Sequence, residues 1–133
     1  MTRATTKRPN DHPSKQAGEI INRAPAELTA WLGNPRTHSD KQLAAIKASI
    51  QKFGFTAPVL LDEAGVILSG HGRVQAAKAL GIESIPTREI AGLTKAKKRA
   101  YVIADNKLAE LSGWDKTLLK AEIELLIAEE FDV

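Results

Sequence analysis

The stretch that most constrains this chain is Ser69-Gly70-His71-Gly72-Arg73-Val74-Gln75-Ala76-Ala77. A β-like run, Val66-Ile67-Leu68, precedes it, and a helix-like run from Val74 to Leu80 follows. Two glycines and an arginine therefore stand at a strand-to-helix turn. The first amides of a helix lack backbone partners and point outward, and the helix dipole favours negative charge there. Gly70 and Gly72 let a ligand approach the backbone closely, and Arg73 adds a fork of donors suited to phosphate oxygens. The spacing predicts an anion site, with phosphate the foremost ligand. A tight turn carrying a solvated arginine fits the same spacing.

The elements around the turn alternate. Ala17 to Asn22 reads as a first strand, and Pro25 to Trp31 as a helical turn. Pro35 disfavours helix at Asn34, so Asn34 to His38 is a loop. Ser39 caps the next helix, with Gln42 placed for a capping box. Leu43, Ile46, Ile50 and Phe53 fall at helical spacing, and Gly54 ends the run. Pro58 to Leu61 and Val66 to Leu68 form a hairpin about Asp62 to Gly65. Gly81 stops the helix that follows the glycine turn. Ile85 to Ile90 is a further strand, which Pro86 places at an edge or confines to its first positions. From Thr94 the pattern is helical, with Ala96, Ala100, Ile103, Ala104, Leu108 and Leu111 as the apolar face. Asp115 opens a last helix striped by Leu119, Ile123, Leu126 and Ile127. The chain thus divides into a polar tail over 1–16, an α/β core over 17–92 and a helical extension of the same domain over 93–133. Its abrupt end at Phe131-Asp132-Val133 predicts a longer parent protein or a last helix that docks on a partner.

Charge and composition narrow the chemistry. The 133 residues contain no cysteine, which excludes disulfides, thiolate metal sites and a cysteine nucleophile. No apolar run approaches the ~18 residues of a membrane span. The tail carries Arg3, Lys7, Arg8 and Lys15 without the apolar segment of a signal peptide, so it reads as disordered and the protein as cytoplasmic. Net charge is +3, and Lys95, Lys97, Lys98 and Arg99 cluster at the start of the long helix. Such a cluster attracts DNA weakly and without sequence preference, although a solvated helix face looks the same. His71 is a candidate general base because histidine titrates near neutrality. Asp105 and Asn106 bear the oxygen ligands that suit magnesium, yet both fall off the apolar stripe, as solvated residues would. His38, in the first loop, is a lone histidine of the same kind.

Three segments in this order carry a resemblance: Asn34-Pro35-Arg36, then Gly70 to Ala77, then Asp105-Asn106. The sequence resembles the ParB/sulfiredoxin superfamily over roughly residues 18–127. It is most similar to the ParB-like domain that fronts phage and bacterial DNA-modification methyltransferases, often labelled ParB-like nucleases. The resemblance implies a small mixed sheet with helices, an α/β (α+β) class, and a C-terminal helical extension. It implies a nucleoside triphosphate, CTP foremost, bound with Mg2+. Arg36, Ser69, Gly70, His71, Gly72 and Arg73 would then contact phosphate, and Asn106 the metal, with Asp105 beside it. The implied partners are a nucleotide, DNA, a methyltransferase domain C-terminal to this one, and a second copy of the chain. The pattern departs from the ParB glycine motif at His71, Gly72 and Gln75, where a glutamate and two arginines stand in the family. The expected function is therefore nucleotide or phosphate binding in a DNA-associated protein. The alternative is a magnesium-dependent nuclease or nucleotide hydrolase with His71 and Asp105 as its acid–base pair.

Overall fold

The computed structural model describes residues 17–34, 37–111 and 113–131. The basic tail and Arg36 lie outside the described residues. The elements in chain order are β1 (Ala17–Arg23), a 3-10 turn (Pro25–Glu27), α1 (Asp40–Phe53), β2 (Val59–Leu61), β3 (Ile67–Ser69), α2 (His71–Leu80), β4 (Ile85–Ile90), α3 (Lys95–Leu111) and α4 (Lys116–Ala128). The strands make one mixed sheet in the order β1-β4-β2-β3. β1 and β4 are antiparallel, β4 and β2 parallel, and β2 and β3 an antiparallel hairpin. This is the α/β class with C-terminal helices that the sequence implies. Pro86 is the second residue of β4, an inner strand. It opposes Asn22 of β1, and pairing with β2 begins only at Thr87, so the missing N–H interrupts no bond on that side.

The core forms where the sheet meets α2. Val59, Leu61, Ile67 and Ile85 from the strands pack with Leu28, Val74 and Ala77, and with the partly buried Phe55 and Ile82. Their short, regular spacing is why the strands and α2 are readable from sequence. Ser39 caps α1 by accepting from the Gln42 amide at 3.1 Å. The expected capping box is not closed by the Gln42 side chain, because its Oε1 pairs with His38 Nδ1 instead. Gly81 ends α2 with φ 71°, a left-handed conformation in which any Cβ is strained.

α3 departs from its apolar pattern. Its inward face is Lys98, Tyr101, Val102, Asp105 and Asn106, with Val102 only 1% exposed. The expected stripe turns outward, with Leu108 66% and Leu111 80% exposed. Polar anchors set this rotation. Lys98 Nζ donates to Asp62 Oδ2 at 3.2 Å and lies 3.3 Å from Glu63 Oε1. Ser69 donates to Asp105 Oδ2 at 3.0 Å. In α4 no residue is fully buried, although Phe131 just beyond it stacks on Phe53 at 6.4 Å.

Asp62 is the pivot of that arrangement. It is 5% exposed, and its Oδ1 accepts from the Ala64 and Val66 amides at 2.9 Å each while Oδ2 takes Lys98. Asp62→Ala strands two hairpin amides and should destabilise the fold by about 2 kcal/mol in urea denaturation. Asp62→Asn keeps an acceptor for those amides and should cost clearly less; equal losses would contradict this assignment.

Candidate functional site

Gly70 is the N-cap of α2, at φ 107° and ψ 19°. This left-handed turn, open to glycine, swings the chain from β3 straight into the helix. The first helical hydrogen bond runs from Val74 N to Gly70 O, so the amides of His71, Gly72 and Arg73 belong to the turn that helix geometry leaves unpaired. Ser39, Thr94 and Asp115 each accept from first-turn amides of α1, α3 and α4. No side chain does so for α2. Its N-terminal amides open on a cavity of about 370 Å³ lined by the glycine turn, by His38 and Ile46, and by Asp105 and Asn106 of α3.

Arg73 sits in the first turn of α2 and leans back under the strand. Its Nη2 donates to Pro58 O at 3.1 Å, and its buried Nε has no partner among the described residues. Burial lowers the guanidinium pKa from its ordinary value, and the Asp105 charge opposes that shift. The group remains cationic, since arginine starts far above neutrality. Gly70 is needed here as well, because a Cβ at that position would lie 2.9 Å from Arg73 Nη2 and 3.2 Å from Val59 Cγ2.

His71 lies at the base of the turn. Its Nε2 accepts from the Trp31 amide at 3.1 Å. That contact follows from a short parallel bridge between Thr29 and Val66, which lays the chain before Trp31 alongside β3. Burial first, and the His38 charge second, push the His71 pKa below its ordinary value. The ring is therefore neutral at pH 7, with its proton on Nδ1. A base would need the Nε2 lone pair, which Trp31 already uses.

Asp105 and Asn106 face the turn from α3. Asp105 Oδ2 takes the Ser69 hydroxyl, and Asn106 Nδ2 donates to Val102 O at 2.9 Å. That leaves Asp105 Oδ1 and Asn106 Oδ1 as the oxygens suited to a ligand. Burial and the nearby Asp105 charge raise the Tyr101 pKa. Among the described residues, no group of three or more His, Cys, Asp or Glu is placed to hold a metal. The structure thus gathers Ser69, Gly70, His71, Gly72, Arg73, Asp105 and Asn106 around one cavity. Lys95, Lys97 and Arg99 are exposed on α3, whereas Lys98 is turned to Asp62 and Glu63. Sequence reasoning gave no site role to His38, whose ring lies against Gly72; no local spacing links those two positions.

Comparison with known proteins agrees with this architecture. Residues 10–110 match the ParB N-terminal domain family. The chain is 46% identical over 81 residues to the ParB-like nuclease domain-containing protein YnaK of Escherichia coli K12, covering 61% of this chain and 93% of that protein. It is 48% identical over 50 residues to the uncharacterized protein ORF326b of Acidianus two-tailed virus, which is 38% of this chain and 14% of the viral protein. Among solved structures, the C-terminally truncated ParB of Caulobacter crescentus complexed with CTP-γ-S superposes with a TM-score of 0.70 at 20% identity. That match covers 84% of this chain and 64% of the ParB chain. Sulfiredoxin of Arabidopsis thaliana gives a TM-score of 0.53, also at 20% identity, over 64% of this chain and 98% of its own. With residues 10–110 matched, the chain belongs to the family of ParB N-terminal domains.

Proposed function

We propose that the β3–α2 turn binds the phosphates of a nucleotide, and that the domain is the nucleotide-binding module of a DNA-associated protein. The observation that carries this reading is Arg73 beside the uncapped start of α2. Among the described residues the Nε of this half-buried cation has no partner, even with the Asp105 charge nearby, and the helix amides beside it have no side-chain cap. Phosphate oxygens supply an acceptor for both. The fold neighbour from Caulobacter was solved with CTP-γ-S, which makes CTP the first nucleotide to test. Association with a methyltransferase domain rests on the Asn34-Pro35-Arg36 and Gly70-His71-Gly72-Arg73 variant alone.

The donor set fits magnesium as a passenger on phosphate, with Asp105 Oδ1 and Asn106 Oδ1 as its protein oxygens. When bound, the ion would offset repulsion between the Asp105 carboxylate and the phosphates. The chain's own residues do the holding: the α2 amides and Arg73 donate, and Ser69 fixes the Asp105 carboxylate.

Arg73→Ala removes a charge-assisted donor, so CTP affinity measured by calorimetry should fall about 10- to 100-fold. Unchanged affinity would place the nucleotide elsewhere. Catalysis is expected to be absent from the isolated domain. His71 lacks a free lone pair, and two cations of the ParB motif are missing, where one lost donor can cost ~10²–10³ in rate. Phosphate release and plasmid nicking with magnesium should stay at background. Turnover abolished by both His71→Ala and Asp105→Ala would establish the hydrolase instead.

Lys95, Lys97 and Arg99 form the surface for weak DNA binding. Their combined replacement by alanine should flatten the dependence of log affinity on log salt by about 2–3 units. Lys98→Ala alone should leave that slope nearly unchanged while lowering the melting temperature, because its partners are Asp62 and Glu63. A slope that responds to Lys98 as strongly as to its neighbours would contradict this division.

A further inference from the structure

β1 stands at the end of the sheet order β1-β4-β2-β3, so its outer edge faces no strand among the described residues. The other end of the sheet is covered. There Thr29 bridges Val66, and the Ile67 amide donates to Thr29 O at 2.8 Å. β1 is also the longest of the described strands, and Gly18 to Asn22 are all exposed. Ile20 and Ile21 leave 53% and 49% of their surface in solvent. An uncovered edge is a row of free N–H and C=O groups that pairs with a suitable strand, and proteins blunt it with lysine, proline or a very short strand. Ala17–Arg23 holds neither lysine nor proline. Its bulge, between Ala17 and Ile20, leaves Ile20 to Arg23 in regular register.

The strand is complementary to itself. Outward-facing backbone groups recur at every second residue along one edge, so two copies pair antiparallel only in registers centred on a residue. Centred on Ile21, the register sets Ile21 against Ile21, Ile20 against Asn22 and Glu19 against Arg23. Opposite charges then face each other at both ends of the ladder, with an apolar pair on the axis. Such cross-strand pairs stabilise antiparallel sheets, whereas like charges in the same places oppose pairing. Centring on Ile20 or Asn22 loses both ion pairs. Arg23 has room for a second carboxylate. Its Nη2 lies 3.9 Å from Glu89 Oε1, longer than a hydrogen bond, and its buried Nε has no partner among the described residues.

We propose that the outer edge of β1 is a self-association surface, to which a second copy of this chain adds its own β1 antiparallel about a two-fold axis at Ile21. The two sheets then run on as one. The contact is isologous, so it closes at two copies and leaves no edge for a third. Seven residues a side make a contact at the small end of specific interfaces, below ~1,200 Å². The dimer is therefore weak and reversible, and its population rises with concentration. The exposed Leu108 and Leu111 of α3 are the competing surface.

Sedimentation equilibrium of the full chain over a concentration series tests this. Wild type should show a monomer–dimer equilibrium. Glu19→Arg sets arginine against arginine across the axis and Arg23→Glu sets glutamate against glutamate, so each variant alone should dimerise about 10-fold more weakly. An equimolar mixture of the two should regain wild-type association within about threefold, because every cross-strand pair again joins opposite charges. Arg23→Glu also faces Glu89; if circular dichroism shows it unfolded, Ile21→Lys takes its place, with like charges on the axis and the same expected loss. Wild type that stays monomeric throughout, or that grows past two copies, would overturn the proposal. So would a dimer indifferent to these variants, or a mixture no better than its components. Dissociation by Leu108→Ser with Leu111→Ser, at unchanged response to the β1 variants, would move the contact to α3 and overturn it as well.

Discussion

The arrangement depends on one backbone conformation, the left-handed turn at Gly70. A residue with a side chain is strained at φ 107°, and its Cβ would collide with the Arg73 guanidinium. Glycine removes both obstacles. β3 then passes into α2 within one residue, and the first amides of the helix open on a cavity rather than on a capping side chain. The arginine folds back beneath its own turn. Strand, turn and cation are thus one unit, and the proposed preference for an anion rests on its backbone.

The opposite wall is brought by α3, against the hydrophobic pattern of that helix. Lys98 is held by the Asp62–Glu63 turn and Asp105 by Ser69, so the helix presents its polar residues to the domain. Leu108 and Leu111 are left exposed as a result. Asp105 beside Arg73 steadies the buried cation, and it also opposes an incoming anion. If phosphates bind there as proposed, a divalent ion held by the Asp105 and Asn106 oxygens would offset that repulsion.

The sequence exposed the local parts of this design and hid the distant ones. The hairpin, α2 and the glycine turn were legible because their signals lie within a few residues: alternating apolar runs, turn residues, and glycine where φ is positive. The outward stripe of α3 was not legible. Ile103 and Leu108 score as core residues, whereas the interactions that orient the helix link Lys98 to Asp62 and Asp105 to Ser69, far apart in the chain. The fate of His71 was hidden for the same reason, since only the Thr29–Val66 bridge carries the Trp31 amide to its ring. His38 over Gly72 is a third such pairing. Each partner was visible alone, and only the fold showed that they meet.

The central claim is that the first turn of α2 receives phosphate. Amide chemical shifts test it most directly, because they report on the backbone donors themselves. In a titration of the isotopically labelled chain with CTP and magnesium, the account predicts the largest shifts at the amides of His71, Gly72 and Arg73. Smaller changes should appear at Asp105 and Asn106. Saturable binding that leaves those three amides unmoved while others shift would contradict it.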